Sequence, residues 1–157
     1  MQQVHHIAII CSDYERSKRF YTEILGFTVL QEVYRAARQS YKLDLCLNDH
    51  YLIELFSFPD PPPRPSGPEA CGLRHLAFAV PDIAVAVNWL TSQQVAVEAI
   101  RIDEFTGKRF TFLPILMVCR WNCMRSSILP ANKWEEPAMR LLNGAAVCRH
   151  RARIHNC

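Results

Sequence analysis

The chain has 157 residues, 50% of them hydrophobic and 21% charged, the make-up of one ordinary globular domain or of two small modules sharing a core. That composition excludes a disordered tail protein, and no apolar run approaches the ~18 residues that a membrane-crossing helix needs. The net charge of +3 is unevenly spread: residues 1–113 carry 11 Lys and Arg against 13 Asp and Glu, whereas residues 114–157 carry seven Lys and Arg against Glu135 and Glu136.

The opening segment, MQQVHHIAIICSDYERS, has no basic stretch leading into a long apolar run, so the expected compartment is the cytoplasm. Its short apolar run, HIAIIC, predicts a strand. Asp13 stands at an N-cap position, and Tyr14, Ser17, Phe20, Tyr21, Ile24 and Leu25 recur at three and four residues. This spacing predicts a helix over 14–25 that Gly26 terminates. Three strands are expected next, Phe27–Tyr34, Tyr41–Leu47 and Tyr51–Phe58, with Asn48-Asp49-His50 turning between the last two. The order is β-α-β-β-β. Phe58 then runs into Pro-Asp-Pro-Pro-Pro-Arg-Pro-Ser-Gly-Pro68, which holds six of the ten prolines; such a stretch is a stiff linker or an active-site flap.

The unit then repeats. His6-Ile-Ala-Ile-Ile-Cys-Ser-Asp13 corresponds to His75-Leu-Ala-Phe-Ala-Val-Pro-Asp82, with Phe20 and Trp89 a further seven residues on, at a constant offset of 69. Module two is expected to have strands at 73–80, 95–102 and 108–113 and a helix over 83–92, but it lacks a proper last strand to match the first. The expected fold class is α+β: two β-α-β-β-β modules forming cupped mixed sheets. The expected division is residues 1–58 for the first module, 59–71 for the Pro-rich linker, 72–113 for the second module and 114–157 for a tail.

Strand parity selects the residues with chemistry. His6, Ala8 and Ile10 share one side, as do His75, Ala77 and Ala79, and the alanines leave a hollow beside each His. Glu54 interrupts the apolar strand Leu52-Ile53-Glu54-Leu55-Phe56, where an unpaired carboxylate costs several kcal/mol to desolvate. A single His in a strand is usually a hydrogen-bonded core residue. Core packing gives no reason to place one at corresponding points of both halves. His6, Glu54 and His75 together form a donor set for one divalent cation: Zn, Ni, Co, Mn or Fe. His5 points the opposite way and reads as structural or exposed. The seven cysteines are an odd count without a leader, so no disulfide framework is expected. Cys11, Cys46 and Cys71 read as small buried hydrophobes. Cys119 and Cys123 lack partners at zinc-finger spacing.

The segments VHHIAII, DYERSKRFYTEILGF, YLIELF and LRHLAFAVPDI resemble the vicinal oxygen chelate superfamily of glyoxalase I, bleomycin and fosfomycin resistance proteins and extradiol dioxygenases. Residues 3–113 are most similar to its small glyoxalase-like proteins of the YaeR type. The resemblance implies sheets curled around a divalent metal, with His6, Glu54 and His75 as three ligands. A fourth ligand is implied in the last strand of module two, a Glu within a pattern like D-P-D-G-x-x-x-E-L.

That Glu is absent, because the chain reads Leu-Pro-Ile-Leu-Met-Val-Cys-Arg-Trp-Asn-Cys-Met from residue 113. A frame displaced by one base restores it. Read from the third base of each codon, Met117–Val118 forces Gly, Trp121–Asn122 forces Glu and Asn122–Cys123 forces Leu. The neighbouring pairs permit D-P-D-G-L-P-L-E-L-Y. The expectation is that one nucleotide is lost near the codons for Phe112 and Leu113. Out-of-frame translation from about residue 113 accounts for the sudden basicity, for the four cysteines of the tail and for the absence of tyrosine after Tyr51.

What the resemblance implies for function is Lewis-acid chemistry on a small substrate with two adjacent oxygens: a metal-dependent, glyoxalase-like lyase or isomerase, weakened by loss of the fourth ligand. Glu54 is then the remaining candidate base. The alternatives are an Fe(II)-dependent dioxygenase and a non-catalytic, resistance-type small-molecule binder. Arg35, Arg38, Lys108 and Arg109 are candidates for an anionic substrate, although solvated strand and loop charges are the simpler reading. Arg149, Arg151 and Arg153 are not read as a nucleic-acid arm. The expected partners are a small molecule and a second copy in a homodimer, with neither nucleic acid nor membrane.

Overall fold

The computed structural model describes residues 3–63, 71–114 and 120–125, with Pro114 and Arg120–Arg125 described as backbone only. Most of the Pro-rich segment, Cys119 and the basic tail with Arg149, Arg151 and Arg153 lie outside the described residues.

The first module runs β1 (Ile7–Cys11), α1 (Tyr14–Arg19), β2 (Thr28–Arg35), β3 (Ser40–Leu47) and β4 (His50–Ser57); the second runs β5 (His75–Val80), α2 (Ile83–Ser92), β6 (Arg101–Ile102), β7 (Arg109–Pro114) and β8 (Arg120–Arg125). Each forms a four-stranded mixed sheet of the same topology, β1-β4-β3-β2 and β5-β8-β7-β6. In each, the first strand lies parallel to the last and the other pairs are antiparallel. The repeat in the sequence is therefore a repeat in the fold, and the α+β expectation holds.

Both expected caps form. Asp13 Oδ1 accepts from the Arg16 amide at 3.0 Å, and Asp82 Oδ1 accepts from the Ala84 and Val85 amides at 2.7 and 3.2 Å. Each satisfies helix N–H groups that would otherwise be orphaned, a contribution of about 1 kcal/mol. The first helix is regular only to Arg19 and continues as a π turn over Phe20–Ile24. The Leu25 amide there reaches back five residues to the Phe20 carbonyl, 3.0 Å away. Gly26 closes it at φ +75°, which suits a residue without Cβ. Phe20 and Tyr21 are thereby both buried.

Segment 95–100, expected as part of a strand, is irregular, and β6 is only two residues long. Gln94 adopts a left-handed φ of 59°. The amides of Val95 and Glu98 are used at 2.9 Å on the Leu90 and Phe112 carbonyls rather than on a continuous ladder. Past residue 113, the backbone of Arg120–Arg125 fills the fourth place of the second sheet.

Among the described residues the larger of two buried clusters draws on both modules, and the smaller, Val80, Ile83 and Ala86, lies within the second. Leu43, Leu45, Ile53 and Leu55 are fully buried and cluster with Tyr21 and Phe27 and with Leu90 and Leu113 of the second half. Each buried Leu or Ile contributes about 1.5–3 kcal/mol. Trp89 donates its indole N–H to the Ile24 carbonyl at 2.9 Å, and Phe78 meets Phe27 edge-to-face at 5.9 Å. Cys11 and Cys46 are buried as expected. Cys71 is exposed instead, because it lies in the loop before β5 rather than on a packed strand. Among the described residues, no helix is long and apolar enough to cross a membrane.

Candidate metal centre

Alternation along the strands puts Ile53 and Leu55 in the core and turns Glu54 to the opposite face. Glu54 lies beside Ala8 in the parallel β1–β4 ladder. Ala8, Ile10, Ala77 and Ala79 are all exposed. His6 enters this face just before β1, and its Nε2 stands 3.3 Å from Glu54 Oε2.

That separation fits one shared cation. Donor atoms about 2.0–2.2 Å from one ion lie roughly 3.0–3.5 Å apart around it. His75 opens β5 with its ring in edge contact with Phe112 at 6.1 Å. Among the described residues, no three His, Cys, Asp or Glu side chains are grouped closely enough to hold an ion. Of the three expected donors, His6 and Glu54 are the two that stand side by side.

The duplication also shows which residue corresponds to Glu54 in the second half. Ala8 faces Glu54 across the first parallel ladder, and its counterpart Ala77 faces Asn122 across the second. The position corresponding to Glu54 therefore carries an amide residue, Asn122.

Four contributors to this face escaped the sequence reading. Lys42 Nζ lies 2.7 Å from Glu54 Oε1 and 2.6 Å from Asp44 Oδ1, and the Tyr51 hydroxyl donates to Asp44 Oδ1 at 2.9 Å. His5, though exposed, brings its Nδ1 to 2.8 Å from His6 Nδ1, so one ring donates and the other accepts. Tyr51 stacks on His6 with centroids 5.3 Å apart. The alternation of Lys42 and Asp44 with buried Leu43 and Leu45 reads in sequence as an ordinary solvent face. Register makes it a site: Asp44 is the cross-strand partner of Glu54. That pairing depends on an irregularity between Leu45 and Cys46. The turn alone, continued from Leu47↔His50 and Cys46↔Tyr51, would set Asp44 opposite Ile53, so the shift of one residue brings the two carboxylates together.

Charge explains the titration behaviour. Burial pulls the Lys42 ammonium down, but hydrogen bonds and attraction from Asp44 and Glu54 outweigh it, and its pKa is raised. Burial, and then the bond to Asp44, also push the Tyr51 hydroxyl up, so it remains a donor at neutral pH.

Of the candidate anion-binding residues, Arg35 is committed elsewhere. Its guanidinium lies 4.7 Å from the Phe56 ring centroid and 5.7 Å from that of Phe58, and Nη2 donates to Ser40 at 2.7 Å. Arg38, Lys108 and Arg109 are exposed.

Paired βαβββ modules and a His–Glu pair on an open sheet face define a glyoxalase-type protein. Residues 3–120 match the Glyoxalase/Bleomycin resistance protein/Dioxygenase superfamily, and the chain belongs to that family. It is 65% identical over 112 residues to the uncharacterized protein YaeR of Escherichia coli (strain K12), covering 71% of this chain and 87% of YaeR. It is 62% identical over 112 residues to the uncharacterized protein YwkD of Bacillus subtilis (strain 168), covering 71% and 88%. The crystal structure of the glyoxalase family protein from Enterococcus faecalis aligns with a TM-score of 0.74 at 42% identity, covering 79% of this chain and 98% of that one.

Proposed function

We propose that this chain holds one divalent cation with His6, Glu54 and His75 and acts as a lyase or isomerase on a small substrate with two adjacent oxygens. The observation that carries the reading is the His6–Glu54 pair, 3.3 Å apart on an exposed face, with His75 and Ala77 at the corresponding point of the second half. When bound, the ion supplies Lewis-acid polarisation of the substrate oxygens. Nitrogen donors weight the site toward Zn, Ni or Co, with Mn and Fe less favoured.

Glu54 suits the part of ligand better than that of base. Its Oε1 is engaged by Lys42, and its Oε2 is the oxygen placed beside His6 to bind a cation with it. The exposed alanines admit the substrate, and Tyr51 keeps the His6 ring in place by stacking. In the same reading the protein is cytoplasmic and homodimeric, and residues from about 113 onward are translated out of frame. The limit of the YaeR match to 71% of the chain supports the last point. Resequencing the gene across the codons for Phe112 and Leu113 tests it, and an intact frame through Cys157 refutes it.

A second reading, non-catalytic small-molecule binding, is favoured by Asn122 at the fourth position and by the lack of a closed three-donor set among the described residues. Metal analysis of protein purified without chelators separates the two. About one equivalent of Zn, Ni or Co, lost in a His6→Ala variant, supports the first, and metal-free protein supports the binder. For metal-loaded protein, turnover of a thiol–methylglyoxal adduct supports the lyase, whereas oxygen uptake with a catechol makes it a dioxygenase.

A further inference from the structure

Two carboxylates directly opposite each other on neighbouring strands repel. In this protein Asp44 and Glu54 are such a pair, and a third charge sits with them: the Lys42 ammonium, within 2.7 Å of an oxygen of each. The side chains of Asp44 and Glu54 are 13% and 15% exposed and that of Lys42 is 29% exposed. Water therefore screens the three only in part.

We propose that Lys42 is a tethered cation that sets the metal preference of this face, an inference that rests on His6 and Glu54 forming part of a cation site. Without Lys42, the face presents two carboxylates and an imidazole, an oxygen-rich and doubly negative set of the kind that takes hard ions such as Mn²⁺ or Ca²⁺. With it, Asp44 Oδ1 is occupied by Lys42 and Tyr51, and Glu54 Oε1 is occupied by Lys42. Glu54 Oε2 beside His6 Nε2 is the part left open to an ion. One oxygen and one nitrogen favour a borderline ion, and the neutralised carboxylates no longer attract a hard one. Lys42 acts through Glu54 and Asp44 and is a positioning and selectivity residue rather than a catalytic one.

The test compares Mn(II) binding, followed by loss of the free-ion EPR signal, with Co(II) binding, followed by its absorption bands. The proteins are the full chain, Lys42→Met, Lys42→Gln and the double variant Lys42→Met/Asp44→Asn, with circular dichroism confirming each fold. Lys42→Gln keeps a donor between the carboxylates while removing the charge, and it serves if Lys42→Met does not fold. The expected result is Mn(II) binding at least ten times tighter in both single variants, a smaller rise in Co(II) affinity because loss of the ammonium favours any dication, and loss of the Mn(II) gain in the double variant. An equal rise for both metals makes Lys42 a general repulsive charge and overturns the inference. A parallel fall in both affinities makes Lys42 a mere brace for Glu54 and overturns the inference, as does unchanged Mn(II) binding. If the parent binds neither metal while Lys42→Met gains Asp44-dependent Mn(II) binding, the functional reading fails and the role of Lys42 stands. If the parent binds Co(II) and the variants gain no Mn(II), the reverse holds.

Discussion

Glu54→Gln separates a ligand from a structural charge. In the folded chain one ammonium, Lys42, serves two carboxylates, Asp44 and Glu54. Neutralising Glu54 leaves Lys42 and Asp44 as a balanced pair. The Gln oxygen can still accept from Lys42, so the folding cost is about 1 kcal/mol, the scale of one partly exposed charge-assisted bond. The effect on a bound cation is larger. A unit charge pair at ~4 Å is worth about 4 kcal/mol at an effective dielectric of roughly 20, and a ligand oxygen sits closer than that. Even after partial screening, loss of about 3 kcal/mol corresponds to about a 100-fold fall in affinity. Urea unfolding of the metal-free proteins measures the first quantity, and Co(II) titration measures the second. Co(II) affinity within threefold of the parent removes Glu54 from the cation site. A folding loss above about 3 kcal/mol makes it a structural residue instead.

Two further predictions concern the brace on the first sheet and the second half of the site. Glu32 accepts from Tyr14 at 2.7 Å and from Lys18 at 2.6 Å, tying α1 to β2, and these bonds, Lys18 first, hold its carboxyl below the usual range. Glu32→Gln is expected to lose about 1–2 kcal/mol at pH 7. Since the folded pKa is the lower one, that advantage is present above about pH 4.3 and disappears as pH falls through the folded value. Thermal melts at falling pH from pH 7 check this, and a gap between wild type and variant that does not narrow as the pH falls contradicts it. Asn122→Glu places a carboxylate at the register position matching Glu54. It is expected to raise Co(II) affinity at least tenfold, measured by titration. An unchanged affinity means that the two halves do not share one cation.

Much of the fold was legible because its causes are local. Asp13 and Asp82 cap helices through amides two or three residues away. Gly26 ends a helix through its own φ, and alternation at 52–56 turns Glu54 away from the core. The segment at 95–100 failed as a strand because Gln94 turns left-handed and the following amides find partners on Leu90 and Phe112. Cys71 failed as a core residue because it sits in a loop.

The amino-acid order by itself determined the duplicated modules, the helix caps and the outward turn of Glu54, since periodicity and spacing are properties of the chain before it folds. Only the tertiary structure decided what surrounds Glu54. Lys42, Asp44, Tyr51 and His5 reach it through cross-strand register and through chain entry into β1. A shift of one residue between Leu45 and Cys46 sets Asp44 opposite Glu54 rather than opposite Ile53. No pattern within β3 encodes that shift. It follows from burying Leu43, Leu45, Ile53 and Leu55 together on one face, which only the assembled sheet can do.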